Sequence, residues 1–153
     1  MNTLELKIPP PVLAMSLAFF MWLTSMFVEP LQMPFEFRLA VALALVAVGQ
    51  GVSISGMLSF RQVGTTVNPF KPDAASSLVT KGVYRFTRNP MYFGLLLTLL
   101  AWVAFLASPL ASFYLAVFVL YMNRFQIEPE ERVLLSLFGT DYAAYKARVR
   151  RWL

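Results

Sequence analysis

The sequence predicts an all-α polytopic membrane protein: four transmembrane helices plus a C-terminal amphipathic helical segment, folded as a single domain over residues 1–153. Three observations predict it. The chain has 153 residues, of which 58% are hydrophobic and only 14% charged, which is too apolar for an ordinary soluble domain and short for two domains. The apolar residues gather in four runs free of Asp, Glu, Lys and Arg, the pattern that a hydrocarbon core of about 30 Å selects. The basic residues sit in the connections between those runs rather than along one exposed face.

Ile8 to Val28 is the first uncharged run and the first span. A cleaved signal peptide is the competing reading, against which Ser25-Met26-Phe27-Val28-Glu29-Pro30 lacks a small-x-small cleavage pattern. Glu29 to Arg38, with two prolines and two glutamates, forms a short polar loop, and Leu39 to Phe60 is the second span. Within it Ala47, Gly51, Ser55 and Ser59 recur every fourth residue, placing small side chains where another helix can approach closely; a substrate groove along that face is the alternative. Arg61 to Asn89 is the longest non-apolar stretch, with Asn68-Pro69 and Lys71-Pro72-Asp73 in its middle. Loops of this length are functional or disordered, and Leu78-Val79 and Val83-Tyr84 argue for order near its end. No glycine-rich phosphate loop occurs, so a soluble nucleotide-binding fold is not expected.

Asn89-Pro90 opens the next helix, since Asn can cap free amides and Pro at the first helical position loses no hydrogen bond. It has two readings. In one it only starts a helix, with Arg85 and Arg88 marking the cytoplasmic face and Tyr84 and Tyr92 as interfacial anchors. In the other the free amides, the positive end of the helix dipole and the two arginines form a site for an anionic group. Met91 to Ala107 and Pro109 to Asn123 are the third and fourth spans, joined by a tight hairpin at Ser108-Pro109. Their antiparallel pairing brings the Arg88–Tyr92 corner and the Glu128-Pro129-Glu130-Glu131 corner to one membrane surface. Among thirteen Lys and Arg residues, only Arg38 falls on the opposite side, which places both termini and this surface in the cytoplasm, at a bacterial inner membrane.

After Pro129, Leu134, Phe138, Tyr142, Tyr145, Val149 and Trp152 follow at steps of three or four, the pattern of an amphipathic tail lying on anionic lipid. Gly139 interrupts it. The net charge of +5 suits membrane lipids rather than nucleic acid, because the cations are not arrayed along one exposed element. Neither Cys nor His occurs, which removes thiolate nucleophiles, imidazole bases and the usual zinc ligands; no metal is expected. Chemistry then falls to carboxylates, arginines, tyrosines or a cofactor. Glu130 and Glu131 point about 100° apart on a helix, so they meet different surroundings. The structural alternative pairs Glu128 with Arg132 at i, i+4.

The run Gly82-Val83-Tyr84-Arg85-Phe86-Thr87-Arg88-Asn89-Pro90-Met91-Tyr92-Phe93-Gly94, preceded by Leu78-Val79-Thr80 and followed by Glu130-Glu131, Phe138-Gly139, Tyr142 and Tyr145, resembles the isoprenylcysteine carboxyl methyltransferase-like family. These are integral membrane methyltransferases, close kin of the phospholipid methyltransferases. The resemblance runs from about Thr65 to Trp152 and combines an Arg-(His/Asn)-Pro-x-Tyr core with a Glu-Glu pair one helical hairpin downstream. It implies S-adenosyl-L-methionine as cofactor. Position by position it implies Leu78, Val79, Tyr84, Asn89, Pro90, Met91 and Tyr92 as cofactor contacts, with Glu130 holding the polar end; Arg88, from the anion-site reading of the helix start, joins them as a cofactor-binding candidate.

Two departures from the family pattern matter. Asn89 stands where many members have His, so no titrating imidazole is present. Gln126 stands where eukaryotic members have an arginine that meets a substrate carboxylate, with Arg124 two residues away. Arg124 is the candidate for an acceptor's head group, with a snorkelling anchor as the alternative, and Glu131 or Tyr92 is the candidate for moving a proton from an amine or hydroxyl. The implied function is methyl transfer to a lipid-like or lipidated small molecule, a carboxylate among the candidates. A phospholipid amine methyltransferase is the nearest alternative. A non-enzymatic adaptor or a small transporter comes next, although a transporter would carry an ionisable residue inside a span and none has one at its centre.

Overall fold

The computed structural model describes residues 5–64 and 76–153, and every regular element among them is helical. Thr65, Asn68-Pro69 and Lys71-Pro72-Asp73 of the long connection lie outside the described residues. Helix α1 spans Pro10–Ser25, starting later than Ile8 because Pro9, Pro10 and Pro11 donate no backbone hydrogen bond and fit only a first helical turn. Helix α2 spans Phe35–Val63 and ends at Gly64, whose φ of 70° suits a residue with no Cβ. It starts four residues before the expected Leu39: Pro34 delivers the chain directly into helix, and Glu36 lies in the first turn, where the dipole favours a negative charge.

A short 3-10 turn at Gly82–Arg85 precedes α3, Pro90–Leu106. The hairpin expected at Ser108-Pro109 forms, with Ala107 at φ 50° and a 3-10 turn at Pro109–Ser112 leading into α4, Phe113–Tyr121. A π-helical turn, Met122–Ile127, joins α4 to α5, Glu128–Arg148, and α5 is broken at Gly139 (φ 48°, ψ −121°) as its sequence predicts. By length and composition α2 and the helical run Pro109–Arg148 are long enough and apolar enough to cross a membrane; α1 and α3 are apolar but shorter, at 16 and 17 residues.

Hydrogen bonds define the two ends of the bundle. At one end the Leu31 N–H donates to the Ala107 carbonyl at 2.8 Å, joining the α1–α2 connection to the α3–α4 hairpin. At the other, the Leu6 N–H donates to Phe125 and the Arg88 N–H to Arg150, each at 3.0 Å. The α3 start, the α5 start and the tail therefore share one end, which is the convergence expected from the antiparallel hairpin.

Helices α2 and α3 touch backbone to backbone. A Cβ at Gly94 would stand 1.9 Å from Ser53 Oγ and 2.4 Å from the Gly49 carbonyl oxygen, and one at Gly56 would stand 2.9 Å from Pro90 Cγ. The contact face is thus Gly49, Ser53 and Gly56, not the expected Ala47, Gly51, Ser55 and Ser59. Nothing lies within 4 Å of a Cβ at Gly51, and the Ser55 and Ser59 hydroxyls donate to the Gly51 and Ser55 carbonyls. The reason is angular: steps of four drift about 40° each around a helix of 3.6 residues per turn, whereas alternating steps of four and three stay on one side.

Two apolar clusters result. Met21, Leu99, Ala111, Phe118 and Met122 join α1, α3 and α4, with Trp102 donating from its indole to the Ala18 carbonyl at 3.0 Å. The second forms where Leu134, Phe138, Tyr142, Tyr145 and Val149 close over Val79 and Tyr84. The tail's apolar face therefore turns inward onto protein, not outward onto lipid, because the 78–84 segment offers it a ready apolar wall.

Candidate active site

The second cluster is the floor of a cleft. The 3-10 turn buries Tyr84 against Phe60, ring centroids 5.4 Å apart, and the Tyr84 carbonyl accepts the Tyr145 hydroxyl at 2.8 Å. The following turn brings in the C-terminal tail: the Thr87 hydroxyl and the Asn89 side-chain amide both donate to the Arg151 carbonyl, at 3.2 and 2.9 Å. Asn89 consequently does not cap α3, contrary to the sequence expectation. Its side chain is taken by a carbonyl sixty-two positions away, and the Thr87 hydroxyl accepts its backbone N–H at 3.2 Å instead. The first bond of α3 runs from Phe93 to the Asn89 carbonyl, which leaves the Met91 and Tyr92 amides outside the helical ladder.

The cleft has a volume of about 110 Å³. Leu78, Val79, Tyr84, Arg88, Asn89, Met91, Tyr92 and Glu130, all expected to meet a cofactor, line it, and so does Glu131. Pro90 is buried against α2 at Gly56 instead. Arg124 is not among the lining residues: its side chain is half exposed, with Nη1 3.3 Å from Glu128 and 3.7 Å from Glu5. The expected Glu128–Arg132 pair does not form either, because Glu5, delivered by the N-terminal segment, takes Arg132 at 2.6 Å.

The two adjacent acids have opposite electrostatics. Asn123, Arg124 and all that follows belong to the polar end of the bundle, outside the apolar part of the α4 run. There Glu130 Oε1 accepts the Tyr92 hydroxyl at 2.5 Å and the Gln126 amide at 2.6 Å. Burial pushes its carboxyl up to about 7, with those two hydrogen bonds working against the rise. Burial also opposes ionisation of Glu131, but hydrogen bonds from Arg151 and Lys146 and the charge of Arg88 outweigh it and hold that carboxyl below its usual value. Arg151 grips it with Nε and Nη2, both at 3.0 Å; Lys146 stands at 2.9 Å and Arg88 at 3.1 Å. Burial raises the hydroxyls of Tyr84, Tyr142 and Tyr145, that of Tyr142 to about 12, so all three stay protonated at neutral pH.

Arg88 is the exception to this satisfied network. Its side chain is only 9% exposed, and its Nε and Nη1 have no hydrogen-bond partner among the described residues. Buried donors left unpaired are costly, so an acceptor entering the cleft would be favoured here, an anionic one above all. Sequence reasoning marks Gln126 only as the residue in place of the family's arginine; its burial against Tyr92 and Glu130 by the π-helical turn is announced by no local motif. Lys146 and Arg151 read only as tail cations, yet Arg151 also reaches Asn123 at 3.4 Å and so ties the tail to the π turn.

An all-helical bundle with apolar membrane-length helices and an anion-receptive cleft at one polar end defines a class of small integral membrane enzyme. Residues 37–141 match the family model described as phospholipid methyltransferase, and the chain belongs to that family of membrane methyltransferases. A probable protein-S-isoprenylcysteine O-methyltransferase of Oryza sativa subsp. indica is 30% identical over 145 residues, covering 93% of this chain and 74% of the relative. The protein-S-isoprenylcysteine O-methyltransferase of Mus musculus is 29% identical over 110 residues, 72% of this chain and 39% of the relative. An uncharacterized protein of Haemophilus influenzae is 51% identical over 63 residues, 41% of this chain and 100% of the relative. No solved structure matches the chain. The resemblance read from Arg88-Asn89-Pro90-Met91-Tyr92 and Glu130-Glu131 is thereby borne out at the level of the family.

Proposed function

We propose that the chain is an S-adenosylmethionine-dependent methyltransferase of four transmembrane helices that acts on a lipid-like or lipidated small molecule. Its cleft opens to the cytoplasmic side of a bacterial inner membrane. The observation that carries the reading is the buried Arg88 guanidinium with two unpaired nitrogens, beside a Glu130 held by the neutral side chains of Tyr92 and Gln126. S-adenosylmethionine bears a carboxylate, an amino group, ribose hydroxyls and a sulfonium, and when bound it supplies an electrophilic methyl group. Arg88 would hold the carboxylate, Glu130 the amino or hydroxyl end, and the aromatic faces of the cleft the cation. Leu78, Val79 and Leu134 exclude water, which a displacement reaction needs along with alignment. Four spans are supported by the apolar character of α1 and α3, and by the segregation of Arg38 from the other described cations.

Glu131 orients Arg88, since a carboxylate held by three cations is a poor proton acceptor. A proton released by an amine or hydroxyl acceptor would go to Glu130 in its carboxylate form, which a value of about 7 makes available at neutral pH. An amine-bearing phospholipid is the second reading, favoured because the Gln126 amide is engaged by Glu130 and Tyr92 and offers no cation to an acceptor carboxylate. The test is calorimetric titration of detergent-solubilised protein with S-adenosylmethionine, followed by transfer of labelled methyl to total membrane lipid and to cytosolic extract. Wild type should bind and label lipid, and Arg88→Ala should bind at least tenfold more weakly, about 1.4 kcal/mol. Absence of binding by wild type refutes the donor, and label confined to water-soluble product refutes the lipid acceptor.

A further inference from the structure

We propose that Lys81, Arg85 and Arg148 form a seat for the phosphate of an anionic phospholipid headgroup, beside the cleft but separate from it. The three cations line one concavity of about 610 Å³ between the 3-10 turn and the last turn of α5, a size within the range of small-molecule pockets. No acidic side chain lines it, and it shares only Tyr145 with the cleft. A concavity lined by one sign of charge concentrates the opposite sign from its surroundings.

The ion pairs among the described residues commit Glu5, Glu128 and Glu131 to other cations and leave this concavity without a counter-charge. Glu131 is taken by Arg88, Lys146 and Arg151; Glu5 by Arg124 and Arg132; Glu128 by Arg124 and Arg151. Glu130 is held by neutral partners. Lys81, Arg85 and Arg148 form no ion pair among the described residues. Two observations select a lipid over a soluble anion. Gly82 packs on Ser59, a Cβ there standing 3.1 Å from the serine hydroxyl, so the concavity lies level with the end of the apolar run of α2, the depth of lipid headgroups. Phe86, next to Arg85, is 69% exposed, an apolar ring beside a cation as in segments that lodge at a bilayer interface.

The proposal rests on the membrane placement of α2 and not on the methyl donor, so the two fail separately. The test uses the full chain in detergent, titrated by calorimetry with dihexanoyl-phosphatidylglycerol, dihexanoyl-phosphatidylcholine and inorganic phosphate. Phosphatidylglycerol should bind at least tenfold more tightly than either other probe. The triple variant Lys81→Gln, Arg85→Gln, Arg148→Gln should lose at least tenfold in that affinity, while Lys81→Arg, Arg85→Lys, Arg148→Lys retains it. Should the glutamine triple variant fail to fold, single substitutions report the same loss at about fivefold per charge. Unchanged phosphatidylglycerol affinity in the glutamine variants, or phosphate binding as tightly as the lipid, overturns the proposal.

Discussion

Glu130 and Glu131 are neighbours in the chain and belong to two different regions of the molecule. On the side of α5 turned toward α3, Glu130 meets a phenol and a carboxamide, both neutral. On the side turned toward the tail, Glu131 meets Arg88, Lys146 and Arg151. Burial acts on both acids and prevails only at the first, so one titrates near neutrality while its neighbour is fixed as a carboxylate. A rotation of about 100° per helical residue is enough to carry an acid from a neutral wall to a basic one. An acidic pair in sequence is therefore two devices: one carboxyl held by neutral partners, and one counter-charge that holds Arg88 in place.

The difference is broken most severely from the ionic side. Glu131→Ala leaves the buried Arg88 without its carboxylate and should lower stability by about 3 kcal/mol, read as a fall in the thermal midpoint of the protein in detergent. An unchanged midpoint would reduce the network to surface pairing. The neutral side is sharpened by pH. Glu130 is raised from 4.5 to about 7, so the folded chain binds more protons than the unfolded one between those values. The stability this contributes is full below about 4.5 and is lost as pH rises through about 7. Glu131 has the opposite sign, its stability being present above the unfolded value and lost as pH falls through the lower folded one. Between pH 5 and 8 wild type should lose roughly 2 kcal/mol relative to Glu130→Gln, and a constant difference between their midpoints across that range would contradict it.

Binding gives the next effect. Glu130→Gln keeps the shape of the side chain but removes its charge, and Tyr92→Ala removes its hydrogen-bond donor; each should weaken S-adenosylmethionine at least tenfold, about 1.4 kcal/mol. Equal titrations by wild type and both variants would move the donor out of this cleft. The smallest effect belongs to Arg124, half exposed and paired with Glu128 at 3.3 Å. Arg124→Ala should cost about 0.5 kcal/mol of stability and leave donor affinity intact. A loss of methyl transfer would assign it the acceptor's head group, whereas full activity returns it to the scaffold.

Much of the cleft is legible in the sequence because its walls come from two compact motifs, one on each side of a short hairpin, and a hairpin between antiparallel helices leaves little freedom in where they meet. Less legible is what reaches the cleft by a longer route. Tyr92 meets Glu130 across thirty-eight positions, and Asn89 meets Arg151 across sixty-two. The second pairing, from the end of the tail, is what denies α3 its asparagine cap. Gln126 is hidden for another reason: a π-helical turn widens the helix locally and places the amide inward with no proline or glycine to mark it.

The amino-acid sequence by itself determines which stretches turn helical, where the Ser108-Pro109 hairpin and the Gly139 break fall, and which end gathers charge. Those features depend on uncharged length, on proline and glycine geometry and on the location of Lys and Arg, all of which act locally. Only the tertiary structure decides which small residues of α2 meet α3, that the tail faces protein instead of lipid, and which of two adjacent acids titrates near neutrality. Each of those depends on what stands opposite a side chain. Burial and pairing are properties of the surroundings, and in this chain the decisive surroundings are assembled from both ends of the described sequence, Glu5 at one and Arg151 at the other.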